Sequence, residues 1–504
     1  MITLTLAEIA EITGGRLHRS DGSEPVTGPV EFDSRKIAAG GLFVALPGER
    51  VDGHTFASAA VAAGATGVLA AREVDAPAVV VPPAPEAAAG SRSVALAGDT
   101  DGSGAAVLTA LGKLARYAVL RLSAGTLTVV GITGSSGKTS TKDVIAQLLE
   151  PLGPTIAPPG SFNNELGHPW TVLRADEATR HLVLELSARG VGHIAELAAL
   201  APPRIGVVLN VGSAHVGEFG SREGIAATKG ELVEALPAAA DGGVAVLNAD
   251  DPLVAAMSER TAARVVTVGT SAGAEIRAEQ VRLDEHARPR FDLVTPQGRA
   301  AVSLPLHGEH YVANALAAAA TALELGSDVD EVAQRLSTVR RRSDRRMQVD
   351  TRADGLTVIN DSYNANPESV RAALKTLASM SAARRSSGGR SWAVLGAMAE
   401  LGEDSVAAHD EIGRLAVRLN IDRLVVVGDQ AAAMHQGACH EGSWGRESIL
   451  VPDADSATEL LRDELTGDDV ILVKASKVAE LWRVADALLS SPHEVSVPRD
   501  GGNA

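Results

Sequence analysis

Cysteine is almost absent. Cys439 stands alone among 504 residues, so no internal disulfide can form, and a reducing compartment such as the cytoplasm fits. No uninterrupted apolar run reaches the length of about 18 to 20 residues that a membrane-crossing helix needs. The segment Met1 to Thr13 has neither a basic n-region nor a long apolar core, so no secretory signal is expected. Basic residues are outnumbered, 46 Lys and Arg against 63 Asp and Glu, for a net charge of −17. That balance argues against a general nucleic-acid binder, whose phosphate contacts need basic surface. Arginine far outnumbers lysine, which makes each lysine worth noticing without giving it a role. A guanine-specific Asn-Lys-x-Asp motif is missing.

What is present is ample apolar content, 45%, enough for several cores in about three domains. The most informative stretch is Thr128-Val-Val-Gly-Ile-Thr-Gly-Ser-Ser-Gly-Lys-Thr-Ser140. It reads as a strand, a glycine loop and a helix from Thr141 to Leu149. Successive N–H groups of Gly134, Ser135, Ser136 and Gly137 would cradle phosphate, aided by the positive end of the helix. Lys138 would reach the outer phosphates, and the hydroxyl of Thr139, followed by Ser140, would hold Mg²⁺. The general P-loop pattern wants glycine five residues before Gly137, where Ile132 stands.

Three blocks follow from composition: 1–122, 123–339 and 340–491, with residues 492–504 as a disordered tail. The first holds strand-like runs at 42–46 and 67–70, an alanine-rich helix near 55–63, and a solvated loop at 82–104. The second continues from the P-loop strand with runs at 182–186, 205–209 and 244–247. The third has runs at 357–359, 392–395, 424–427 and 470–473, and Asn366-Pro367 marks a helix start. Alternating strands and helices predict an α/β protein with parallel sheets covered on both faces. Polar residues recur where the strands end: Glu185, Asn210, Asn248, Asp361 and Lys474. Ligands sit at such ends in doubly wound sheets, which predicts two facing half-sites.

Several residues invite chemistry and also have plainer readings. Glu185, at the end of an apolar strand, could join Thr139 around a Mg²⁺; His215 lies just past another strand, where a lone histidine is usually structural. Lys229 sits in an apolar helical pattern, where lysine normally snorkels to water. If it is buried instead, its amine becomes neutral and open to CO₂. His310 and Asn314 share a helix face at i and i+4, and Asn314 could read an adenine edge. The cluster Arg340 to Arg346 is either a solvated hinge or carries one arginine that reaches a phosphate. Asp361 could accept hydrogen bonds from ribose hydroxyls.

Taken together these segments resemble the Mur ligase family, ATP-dependent amide-forming enzymes of peptidoglycan precursor synthesis, over the chain up to about residue 490. Thr133-Gly-Ser-Ser-Gly-Lys-Thr-Ser140 matches the family's loop variant, and Gly160-Ser-Phe-Asn-Asn-Glu-Leu-Gly167 its Gly-x-x-Asn-Asn-x-x-Gly segment. Asp33-Ser-Arg35, with 42–46 and Asp52-Gly-His54, resembles the uridine-nucleotide module. Asp361-Ser-Tyr-Asn-Ala-Asn-Pro367 and Leu395-Gly-Ala-Met-Ala-Glu-Leu-Gly402 are most like the member that adds D-alanyl-D-alanine. Two places depart from the family pattern: Leu186-Ser-Ala-Arg-Gly190, where relatives often carry Gly-Ala-Asn-His, and Ala397, where aspartate is common.

The resemblance implies three domains: a small N-terminal α/β uridine-nucleotide-binding domain, a central P-loop ATPase-like domain and a C-terminal Rossmann-like domain. It implies ATP and Mg²⁺ as cofactors, with UDP-MurNAc-tripeptide and D-Ala-D-Ala as substrates of a cytoplasmic monomer. It makes Lys138 the phosphate-binding lysine, Thr139, Glu185 and His215 ligands around the metal, and Lys229 a carbamylated lysine. Asn314 becomes the adenine contact, Arg346 the hinge arginine and Asp361 the ribose contact. Ser34, Arg35, Asn163, Asn164, Tyr363, Asn364 and Asn366 become substrate contacts. The implied reaction passes through an acyl phosphate that the dipeptide amine attacks, and no residue emerges as the base for that amine. The alternatives are another family ligase, such as the one adding the third peptide residue, a folylpolyglutamate synthetase, a nucleotide-driven switch or motor, and a non-catalytic nucleotide-binding module. The first would carry an Asp-Asn-Pro-Arg signature, which is missing. The identity of the third peptide residue is left open.

Overall fold

The computed structural model describes residues 1–48, 51–84, 96, 99–188, 190–212, 219–442, 445 and 447–490. The expected tail at 492–504 lies outside the described residues, as does most of the loop placed at 82–104.

Three open sheets of five or more strands carry the described residues, with a two-stranded antiparallel pair, Leu4–Thr5 and Pro25–Val26, in addition. The N-terminal sheet runs Arg16–His18, Ala78–Val80, Ala65–Ala70, Gly41–Val44, Val30–Glu31, parallel except at the first pair. The helix Leu6–Thr13 beside it is set by a capping box. Thr5 Oγ1 accepts from Glu8 N–H at 3.2 Å, and the Glu8 carboxylate accepts from Thr5 N–H at 2.7 Å. A long helix, Ser103–Ser123, closes this block and lies between Leu6–Thr13 and two helices of the central block, Gly167–Val172 and His193–Leu200. Neither helix was expected. The one predicted near 55–63 is a 3₁₀ turn, Gly53–Phe56, running into an α-helix, Ala57–Ala62.

The central sheet has nine strands with the P-loop strand Thr128–Thr133 well inside it. His181–Glu185 and Ile205–Val208 flank that strand in parallel, with Glu185 opposite Ile132 and Val208 opposite Thr133. This register delivers Glu185 and Asn210 to either side of the phosphate loop. Beyond Val244–Asn248 and Arg264–Gly269, Ile276–Leu283 is parallel to its neighbour, but Pro289–Thr295 and Gly298–Ser303 turn antiparallel. The all-parallel expectation is corrected there: a hairpin, half-exposed, forms one edge. The C-terminal sheet orders Gln348–Thr351, Thr357–Asn360, Val470–Lys474, Ser391–Leu395, Arg423–Val427, Ser448–Val451, and all but the first run parallel. Asp361 and Lys474 therefore leave adjacent strands side by side.

The cores are not separate. One apolar cluster joins Leu4, Leu42 and Leu111 to Val129, Leu184 and Leu247. Another joins Val130, Ile145 and Leu316 to Ile359, Leu374 and Leu472. Among the described residues no helix is long and apolar enough to cross a membrane.

Candidate active site

The P-loop helix begins at Lys138, three residues earlier than predicted, because Gly137 takes a left-handed φ of +82° and turns the chain directly into it. A Cβ at Gly137 would stand 2.8 Å from Asn314 Oδ1, so glycine is required for conformation and space together. Asn210, past its strand, clamps the loop: its Oδ1 accepts from Ser136 N–H at 3.0 Å and its Nδ2 donates to Ser136 O at 3.2 Å.

Beneath the loop Glu185 is fully buried. One carboxylate oxygen accepts from Thr139 Oγ1 at 3.1 Å, with Ser161 Oγ at 3.4 Å and Asn163 Nδ2 at 3.5 Å. The other, Oε1, has no hydrogen-bond partner. Burial pushes its pKa up, against the pull of Arg346, Lys142 and Lys138. Lys138 donates to Gly134 O at 2.6 Å; burial lowers its pKa while Glu185 and Glu400 oppose the shift. Lys142, also buried, donates to Pro158 O at 2.6 Å and pins the segment that carries Ser161, Asn163 and Asn164. Lys229 is buried, and desolvation together with the Lys138 ammonium holds its amine well below the usual lysine range. Both influences favour the neutral amine.

The C-terminal sheet supplies the opposite wall. Lys474 Nζ donates to Asp361 Oδ2 at 2.5 Å and to Asn364 O at 2.9 Å, and Asp361 Oδ1 accepts from Met347 N–H at 2.9 Å. The guanidinium of Arg346 stacks on Tyr363, 4.1 Å from the ring centroid, and its buried Nε is unpartnered. Its neighbours in the cluster are tied down as well: Arg342 pairs with Glu150 on the surface, Arg345 stacks on Trp482 at 4.1 Å, and the buried Ser343 donates to Asp143 at 2.6 Å. The segment is thus no free hinge. Asn366 caps its helix through Ser369 N–H at 2.8 Å and reaches Ser135 O at 3.4 Å across the gap.

Both walls enclose one cavity of about 390 Å³, lined by Ser135 to Ser140, Asn163, Asn164, Asn210, Asn314, Arg346, Asp361, Tyr363, Asn364, Asn366 and Lys474. Glu185 lies directly behind Thr139, and Lys229 is in the reach of Lys138's charge. Of the five strand-end residues, Asn248 stays outside; it donates to Leu209 O. Ser34 and Arg35 are elsewhere: Arg35 is exposed and its guanidinium is held by Asp33, at 2.9 Å to each carboxylate oxygen. An aromatic chain links the two places, Phe32 to Trp170 at 5.8 Å and Trp170 to Phe162 at 4.8 Å between centroids. His310 stands at the N-cap of its helix, Tyr311–Glu324, with helical dihedrals, and, like Asn314 one turn on, it lines the cavity; burial lowers its pKa to about 4. His215 lies outside the described residues.

The cavity also holds residues that sequence reasoning missed. His193 Nε2 pairs with Glu165 at 2.8 Å, and both line it, as do Ser187 and Glu400. Glu165 and Glu400 sat inside quoted motifs and were legible there; His193 begins a helix and carries no motif signal. Among the described residues no cluster of three His, Cys, Asp or Glu side chains offers an all-protein metal cage.

A phosphate loop in a parallel sheet, faced by the strand ends of a second parallel sheet, is the architecture of a P-loop nucleotide-binding enzyme. Family models match residues 29–97 (Mur ligase family, catalytic domain), 132–322 (Mur ligase middle domain) and 345–477 (Mur ligase, glutamate ligase domain). The chain is 57% identical to the UDP-N-acetylmuramoyl-tripeptide–D-alanyl-D-alanine ligase of Mycobacterium tuberculosis, across 97% of this chain and 98% of that one. It is 35% identical to the Escherichia coli K12 protein of the same name, across 97% and 99%. Its fold superposes on MurF from Acinetobacter baumannii with a TM-score of 0.81 at 29% identity, covering 97% and 99% of the chains. For the MurF ligase of Thermotoga maritima in complex with ADP the TM-score is 0.73 at 29% identity, covering 92% and 97%. The chain belongs to the Mur ligase family.

Proposed function

We propose that this chain is an ATP-dependent ligase that joins D-alanyl-D-alanine to the terminal carboxylate of UDP-MurNAc-tripeptide, forming a carbon–nitrogen bond through an acyl phosphate. The observation that carries the reading is the single cavity in which the phosphate loop faces Arg346, Asp361 and Lys474. The relatives named above support the choice of substrates. Residues 1–122 would hold the UDP-sugar, with Ser34 and Arg35 at its nucleotide end. Residues 123–339 would hold ATP, and residues 340–491 the dipeptide, near Tyr363, Asn364 and Asn366. Asn163 and Asn164 would meet the peptide arm as it enters the cavity.

A carboxylate is a poor electrophile, so it first takes the γ-phosphoryl group of ATP. Charge then spreads over phosphoryl oxygens, and catalysis rests on positioning and electrostatics. Lys138 and the loop N–H groups would hold the phosphates, Asn314 would read adenine with its unpartnered Nδ2, and Asp361 would turn from Met347 N–H to the ribose. Arg346 would extend its free Nε toward the transferring group. The donor set suits Mg²⁺, which is bound through one or two carboxylates with phosphate oxygens. Glu185 offers an unpartnered buried oxygen beside the Thr139 hydroxyl, and His215 joins them on the family motif alone. Bound there, Mg²⁺ would neutralise phosphoryl charge. Burial favours the neutral form of the Lys229 amine, the form that adds CO₂, and the resulting carbamate would hold a second Mg²⁺. The protein would act as a cytoplasmic monomer.

The test is phosphate release from MgATP with UDP-MurNAc-tripeptide, with and without D-Ala-D-Ala. Release that needs both, with a pentapeptide product by mass and none from Lys138→Ala, is expected. Release with ATP alone would favour a switch, and release only with a UDP-MurNAc-dipeptide and a diamino acid would move the enzyme one step earlier.

A further inference from the structure

The incoming dipeptide arrives as an ammonium, which has no lone pair with which to attack. We propose that Glu400 docks that ammonium and accepts its proton, an inference that rests on the ligase reading above.

Glu400 lies in the loop after the strand Ser391–Leu395, on the dipeptide side of the cavity, and it lines that cavity. It shares the lining of that cavity with Lys138 and Thr139 of the phosphate loop, and its charge opposes the fall of the Lys138 pKa. Its backbone is left-handed, φ +65°, a conformation that a glutamate holds only when its surroundings impose it. The imposition is visible on both sides. Met398 is buried and its N–H donates to His409 Nε2 at 2.9 Å, while His409 Nδ1 donates to Ser405 O at 2.7 Å. Leu401 is buried next to it, and Ala397 O accepts from Ser476 N–H at 3.0 Å. A rigid frame thus presents one exposed carboxylate to the place where acyl phosphate and amine must meet.

The step balances as follows. Glu400 takes one proton from the ammonium, and the nitrogen lone pair forms the C–N bond to the acyl carbon. The C–O bond to phosphate breaks with its electron pair, and the second nitrogen proton leaves with hydrogen phosphate. Glu400 returns its proton to solvent.

The experiment compares D-Ala-D-Ala with hydroxylamine, an acceptor that is largely neutral at pH 7 and needs no base. Glu400→Gln should lose about 100-fold in kcat/KM for the dipeptide and follow the free-amine fraction, its rate rising with pH. Hydroxamate formation from MgATP, UDP-MurNAc-tripeptide and hydroxylamine should stay within about twofold of wild type, and Glu400→Asp should recover part of the dipeptide rate. Dipeptide kinetics unchanged in Glu400→Gln, or hydroxamate lost in parallel with product, would overturn the assignment. Wild-type enzyme that forms hydroxamate but no pentapeptide would overturn the substrate reading instead.

Discussion

Gly137 concentrates several constraints in one residue. It turns the strand into the helix with a left-handed φ, and its missing Cβ leaves room for Asn314 Oδ1 at 2.8 Å. Gly137→Ala should cost about 1–2 kcal/mol for the left-handed backbone alone and displace Asn314 from the place proposed for it beside adenine. Urea unfolding and ATP calorimetry measure both, and unchanged ATP affinity would refute the placement of Asn314. Lys229 poses a different question, because burial and the neighbouring Lys138 ammonium both pull its pKa down and favour the neutral amine. In ¹³C-bicarbonate the wild type should show a carbamate resonance that Lys229→Met lacks, and an identical spectrum in both would exclude the modification. At this scale the sequence was readable wherever the geometry is local. The loop, Glu185 and Asn210 sit within a few residues of strand ends, so their convergence follows from strand order. The arginine cluster was not readable in this way. Arg342 and Arg346 share a composition and a neighbourhood, yet one pairs with Glu150 outside while the other enters the cavity, and only tertiary packing separates them.

Strands and helices carry a second tier of consequence. Most predicted strands form within a residue or two of their expected bounds, because buried parallel strands read as short apolar runs. The hairpin Pro289–Thr295 and Gly298–Ser303 escaped notice because one face is wet and its residues alternate. The helix Leu6–Thr13 is marked in the sequence by Thr5 and Glu8, a capping-box pair whose signal is only two residues wide. A third case concerns the helix Gly167–Val172, which buries His168 completely between the backbones of Glu185 and Leu197. Burial lowers that imidazole's pKa to about 4, from a free value near 6.5. The unfolded chain therefore binds the proton first. The stabilising difference is whole above about pH 6.5 and drains away as pH falls toward 4, on the order of 3 kcal/mol in total. Urea unfolding at pH 7 and pH 4.5 should show a steeper loss for wild type than for His168→Leu; equal slopes would mean the ring is not buried neutral.

At the scale of the whole molecule, the three compositional blocks are better defined by their sheets than by their cores. The helix Ser103–Ser123 shows why. Ala115, Ala118, Val119 and Leu122 are buried on it, and their cluster includes Leu173, Leu184 and Leu197 from beyond residue 122. Trp170 likewise donates its indole N–H to Val30 O at 2.9 Å, tying the central block to the N-terminal sheet. A fragment of residues 1–122 would present that apolar helix face to water. Burying a single large apolar side chain is worth about 1.5–3 kcal/mol, and a small domain has only about 5–15 kcal/mol to lose. The fragment should therefore be unfolded or aggregated on its own by circular dichroism and sedimentation. A fragment of residues 1–339 keeps that cluster whole but loses the one shared with the C-terminal sheet, so its N-terminal and central sheets should unfold together in one transition, at lower denaturant than the full chain. A soluble, cooperatively folded 1–122 would show that the N-terminal block is an independent domain. In that case the helix would be a linker that docks on the central block rather than part of a core common to both.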